Sequence, residues 1–277
     1  MERTFNTPSP VDLFLEFDRG QVIVMAGDTT ESTIRVEGDQ PERVRIEYSG
    51  NQLSAVVERR SVFDFGAVLQ VWATVPTGSR AVVRTGSADV RTSGRLASAN
   101  VQTGSGDVEL AEVTGQVNVG TGSGDVRIGT AGETRVKTGS GDIAVSEVNG
   151  SSSFGTGSGD VQVDHARGRV VAKAASGNIV IEKADDDLQL NSASGDVEVG
   201  RLRSGEVAVS TASGSVRLGV PPAIPVWTDI STITGKVTSD LVGAGRPEPG
   251  QESLRLRAKT VSGDVRLVQL ETAEDLR

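Results

Sequence analysis

Residues 103–143 read TGSGDVELAEVTGQVNVGTGSGDVRIGTAGETRVKTGSGDI, in which one hexad starts three times, at Thr103, Thr121 and Thr138. Working outward, the same corner stands as TGSADV at Thr85 and TGSGDV at Thr156. It then drifts through AASGNI at Ala174, SASGDV at Ser192, TASGSV at Thr211, TITGKV at Thr232 and TVSGDV at Thr260. The steps between starts are 18, 18, 17, 18, 18, 18, 19, 21 and 28 residues. A period this constant marks a repeat architecture, in which each unit buries its apolar face against the next copy.

Columns down the repeat show which positions face inward. Five residues after each start stand Val90, Val108, Val126, Ile143, Val161, Ile179, Val197, Val216, Val237 and Val265. Two further on come Leu110, Ile128, Val145, Val163, Ile181, Val199, Leu218 and Leu267, with Thr92 and Ser239 as exceptions. Two before the next start are Val101, Val119, Val136, Phe154, Ala172, Leu190 and Val209. Polar residues such as Glu109, Arg127, Gln162 and Glu198 lie between the first two columns. This is period-two alternation with one buried face, and β-branched residues dominate it, so each coil holds at least two short strands. The expected fold is all-β: a single-stranded parallel β-helix, or β-solenoid, of about 18 residues per coil. Parallel crossovers favour right-handed winding.

The corner residues carry the turn. Gly104, Gly106, Gly122, Gly124, Gly139, Gly141, Gly157 and Gly159 are expected to supply positive φ where the chain reverses. The following aspartates, Asp107, Asp125, Asp142 and Asp160, form the best candidate column for chemistry. Stacked carboxylates about 5 Å apart repel by roughly 1 kcal/mol per pair in water. Two arrangements offset that: bridging calcium ions, or N–H groups of each residue's own turn. Calcium wants six to eight oxygens, and one carboxylate per coil supplies few of them. Asn178 and Ser215, which replace Asp in two coils, suit a turn bond at least as well. The corner is therefore read as structural. The threonines of the same corner share the parity of the buried valines and are expected to bond within the turn.

Composition narrows the rest. There is no cysteine and one histidine, His165, which excludes disulfides, cysteine-based metal sites and any mechanism needing two histidines. His165 reads as a surface residue and Asp185-Asp186-Asp187 as a solvated turn. The net charge is −9, with lysine and arginine scattered along the chain, so no basic stripe for nucleic acid is visible. The Gly-Ser-Gly runs are not phosphate loops, since no GxxxxGK[ST] is present. No segment approaches 18 uninterrupted apolar residues, and the N-terminus has no basic-then-apolar secretory pattern. The expectation is a cytoplasmic protein without a membrane span.

Residues 1–84 lack the sharp corner but keep alternating strands, and they hold most of the aromatics, among them Phe5, Phe14, Phe17, Tyr48, Phe63, Phe65 and Trp72. They are read as irregular early coils forming an N-terminal β cap. That cap runs on into a regular solenoid over 85–277 with longer C-terminal coils, all as one domain. The composition of Val242–Gly250 predicts a mobile loop. The charged Glu271–Arg277 tail is expected to blunt the last edge.

TGSGDV corners at 18-residue spacing, entered through Leu69-Gln-Val-Trp-Ala-Thr-Val-Pro-Thr-Gly78, resemble the bacterial DUF4097 family, whose members are often labelled adhesins. The resemblance covers Val68 to Leu270. It implies a β-helical fold with no catalytic residues and a link, by analogy, to cell-envelope stress. Three functional readings follow. The first is a non-catalytic scaffold, adhesin-like in binding a protein partner or assembling with itself, without cofactor. The second is a carbohydrate-active β-helix enzyme or polysaccharide binder acting through Asp107, Asp125 or Asp142, which lacks the loops and aromatic platforms such sites need. The third is a calcium-stabilised repeat protein with Asp107, Asp125, Asp142 and Asp160 as ligands.

Overall fold

The computed structural model describes residues 1–57, 68–245 and 250–271. Phe63 and Phe65 of the expected cap, 246–249 of the expected loop and 272–277 of the tail lie outside them. Among the described residues the only helical element is a single 3₁₀ turn, Pro41–Arg43, and the regular structure is otherwise strand. The chain is a parallel β-solenoid built from two sheets, each coil giving one strand to each sheet. It divides into two compact units, residues 1–141 and 142–277.

In the second unit the first sheet stacks Ile143–Val148, Val161–Ala166, Ile179–Ala184, Val197–Leu202 and Val216–Val220. The second sheet stacks Ser152–Thr156, Val170–Ala174, Leu188–Ser192 and Gly205–Thr211. Every pairing here is parallel and in register, so Val161, Ile179, Val197 and Val216 sit directly over one another. The residues of the three inward columns are buried through these coils. Burying an aliphatic side chain of this size contributes about 1.5–3 kcal/mol. Volume is balanced between layers: Phe154, the one aromatic in this stack's core, lies beside Ala172.

Space departs from sequence in the final coils. The expected succession would place the coil Val226–Thr232 and Val237–Ser239 directly on Gly205–Thr211 and Val216–Val220. Instead the last strands, Leu254–Thr260 and Val265–Gln269, occupy that position, and among the described residues the 226–239 coil pairs only with them. The 226–239 coil is therefore the outermost, and the coil nearest the C-terminus closes the gap beneath it. Val237, a member of an inward column, is 48% exposed, and among the described residues no further coil covers it.

The first unit shows the same reversal. The coil Asp12–Phe17 and Arg19–Gly27 lies between the coil Gln52–Val57 and Val68–Pro76 on one side and the coil Arg80–Thr85 and Asp89–Ser93 on the other. Gly20 permits this insertion, since its φ is 119° and a Cβ would overlap the carbonyl oxygen of Leu69. Three antiparallel pairings then end the parallel stack, made by Glu2–Asn6, Glu31–Gly38 and the hairpin of Val44–Ser49 with Gln52–Val57. Regular coils Ser98–Gln102, Val108–Val113, Val117–Thr121, Val126–Ala131 and Thr134–Thr138 complete this unit.

Candidate functional site

The aspartate column is a hydrogen-bond ladder between coils. In the first unit the Asp107 backbone N–H donates to Asp89 Oδ1 at 3.0 Å, and the Asp125 N–H to Asp107 Oδ1 at 2.9 Å. In the second unit the N–H of Asp160 donates to Asp142 Oδ1 at 2.8 Å and that of Asn178 to Asp160 Oδ1 at 2.7 Å. The ladder continues through Asn178 Oδ1 to Asp196 at 2.9 Å and from Asp196 Oδ1 to Ser215 at 2.7 Å. The donor thus comes from the next coil, not from the aspartate's own turn. Each bond to an aspartate offsets carboxylate repulsion with a charge-assisted contact.

The threonine column bonds both within and between coils. Gly106, Gly124, Gly141 and Gly159 each donate their N–H to the hydroxyl three residues earlier, at 3.0–3.1 Å. The Thr138 hydroxyl donates in turn to the Gly124 carbonyl of the coil below at 3.3 Å, and Thr211 to Gly195 at 3.3 Å. The corner glycines also differ from expectation, because none has positive φ. They are required by close approach. A Cβ on Gly106, Gly124 or Gly141 would overlap the carbonyl oxygen of the preceding coil, belonging to Ala88, Gly106 and Gly124 respectively.

These carboxylates lie on exposed corners with one oxygen committed to the main chain. Asp125 Oδ2 meets Arg127 Nη2 at 3.2 Å. Among the described residues no group of three or more His, Asp or Glu side chains is placed to hold a metal ion. His165 is partly buried, not a free surface residue, and its Nε2 lies 2.9 Å from Asp185 Oδ2. The Ser204 hydroxyl nearby turns to the main-chain carbonyl of Asp185 at 3.3 Å, so the pair does not extend to a poised nucleophile. Asp186 accepts the N–H of its neighbour Asp187, and Asp187 accepts that of Glu206 in the next coil. The positive φ of Gly205, 104°, lets the chain turn tightly over Asp187. Glu147, beside His165 in register, is held below the usual carboxylate range, chiefly by its hydrogen bond to Arg167.

The outermost 226–239 coil leaves the solenoid interior open. A cavity of about 460 Å³ lies there, walled by Val226, Ile230 and Val237 above Leu267, and by Val220 and Ile224 at the side. Gln269 Oε1 pins the adjoining loop by accepting the Val242 N–H at 3.0 Å. The aspartate ladder ends at this coil, because the Lys236 N–H donates to Asp264 Oδ1 at 2.8 Å but its side chain offers a cation where a further coil would need a carboxylate. A lysine at an edge opposes strand addition. The sequence carried the signals: Lys236 in the aspartate column, and Thr228 and Ser239 on the inward face of one coil.

The Toastrack DUF4097 family model matches residues 12–267. A crystal structure described as a "putative adhesin" from Parabacteroides merdae superposes with a TM-score of 0.54 at 12% identity, covering 97% of this chain and 95% of that one. One described as a "putative lipid binding protein" from Parabacteroides distasonis gives 0.44 at 15% identity, with 97% and 96% covered. Another "putative adhesin" from that organism gives 0.38 at 13% identity over the same shares. No curated protein matches the chain.

Proposed function

Because this chain belongs to the Toastrack DUF4097 family, we propose that it is a non-catalytic, adhesin-like scaffold that binds partners through the faces and open end of its solenoid. One observation carries the reading. The aspartate column, the best candidate for chemistry, is committed to coil-to-coil hydrogen bonds on exposed corners. Catalysis asks for convergent groups in a cleft, whereas this column diverges along an edge. Proteins retained by the immobilised full chain from a lysate of its native host would test the proposal. A specific partner is the expected result. A chain that stays strictly monomeric and retains nothing overturns the reading.

Self-association is a second mode, favoured by the uncovered Val226, Ile230 and Val237 at the open end. Light scattering across a concentration series reads it directly, and a Val237→Glu variant separates this end from other contacts.

A further inference from the structure

The outward side of the second sheet in the second unit has a chemistry its first sheet lacks. The closing strand Leu254–Thr260 turns Leu254, Leu256 and Ala258 inward and sends Arg255, Arg257 and Lys259 outward in succession. On the neighbouring outermost strand Trp227 stands in register with Arg255 and is 53% exposed. The Arg255 guanidinium lies 5.6 Å from the Trp227 ring centroid and that of Arg257 6.0 Å. Arg257 is neutralised by Glu206 at 3.1 Å. Among the described residues, neither Arg255 nor Lys259 is in an ion pair. Arg255 therefore stands outside any ion pair against a half-exposed indole, and Lys259 lies four residues further along the same strand face, in register with Ser231. The register partners Glu206 of Arg255 and Asp229 of Arg257 are acidic, on a chain of net charge −9.

A polar row extends from this cluster. Ser231, Lys259, Ser210, Asn191 and Lys173 are successive register partners on five adjacent strands. At about 4.8 Å per strand the row is roughly 19 Å long, crossing the strands at right angles. Lysines stand at its second and last positions, and the others carry hydroxyl or amide groups. Those groups suit a ligand rich in hydroxyls and spaced negative charge, with an apolar ring face for the tryptophan.

We propose that this face binds an anionic polysaccharide, one sugar ring stacking on Trp227 and acidic substituents meeting Arg255, Lys259 and Lys173. The inference rests on the binding-scaffold reading above and names its ligand class. Nucleic acid fits less well. A duplex carries a charge about every 1.7 Å along its axis, and recognition through phosphates needs a denser cationic stripe than this row provides.

The test is affinity electrophoresis of the full chain through gels containing polygalacturonate, neutral dextran or double-stranded DNA, in calcium-free buffer. Retardation by polygalacturonate alone is expected, weakening with added salt. Trp227→Ala and the pair Arg255→Glu with Lys259→Glu should each weaken it at least tenfold. Arg217→Glu, on the other sheet, should leave it unchanged, and matched thermal melts exclude misfolding. Retardation by DNA with the same variant dependence overturns the polysaccharide assignment. Absence of binding to every polymer, or binding indifferent to the variants, overturns the site while leaving the scaffold reading intact. Release of reducing ends from polygalacturonate would overturn the non-catalytic reading instead.

Discussion

The carboxylate of Asp107 accepts the backbone N–H of Asp125, 2.9 Å away and one coil later, and Asn178 does the same for Asp196 at the same distance. An amide oxygen therefore replaces a carboxylate here without loss of geometry. Asp107→Asn is expected to keep stability within about 0.5 kcal/mol of the parent, since the bond survives and carboxylate repulsion falls. Asp107→Ala removes the acceptor and should cost about 1 kcal/mol, read by urea denaturation. EDTA should leave the melting temperature unchanged, whereas a rise of several degrees on adding calcium would reinstate calcium as a structural ligand.

Gly124 and Gly120 are four residues apart but respond differently to a methyl group. A Cβ on Gly124 meets the carbonyl oxygen of Gly106, which is fixed in the stack. A Cβ on Gly120 meets only the amide end of Gln102, which can swing away. Gly124→Ala should therefore cost about 3 kcal/mol or more, and Gly120→Ala less than about 1 kcal/mol. Paired chemical melts distinguish the two.

Ala174 is the one residue of the corner column without a hydroxyl, between Thr156 and Ser192 in register. At Ser192 that hydroxyl accepts the N–H of Gly195 and donates to the Gly177 carbonyl of the coil below, as Thr211 does with Gly214 and Gly195. Ala174→Thr is expected to stabilise by about 1 kcal/mol. A lower melting temperature would mean that the added atoms do not fit this layer.

A chain ended at Gly250 lacks the strands that hold the outermost coil. Among the described residues, 226–239 pair only with 254–260 and 265–269, so they should lose protection from hydrogen exchange. Residues 143–202 should keep theirs, because each strand there retains its neighbours. Persistent protection of 226–232 would show that this strand can dock directly on Gly205–Thr211.

The regular coils were legible because each column repeats one physical demand, and Val161, Ile179 and Val197 give the same answer three times over. The hexad also revealed where the chain turns, but not why glycine stands there. Close approach of Gly124 to the carbonyl below depends on coil spacing, which no single coil expresses. The order of the last coils was hidden for a related reason. Both 226–239 and 254–269 carry the repeat signature, and periodicity cannot say which lies outside. Lys236 and Ser239 did mark the exposed one. The cationic face escaped notice because Arg255, Arg257 and Lys259 alternate with buried residues and gain neighbours only across strands.

The reversed order of the final coils also bears on how the molecule carries load. Tension applied through the C-terminus reaches Val265–Gln269 and Leu254–Thr260 first, and each is paired along both of its edges. Unzipping one ladder from a free border is not available to such a pull. Both ladders of an interior strand must slide together, which spreads the force over many bonds at once. A chain pulled from that end should yield abruptly and at high force, not by fraying.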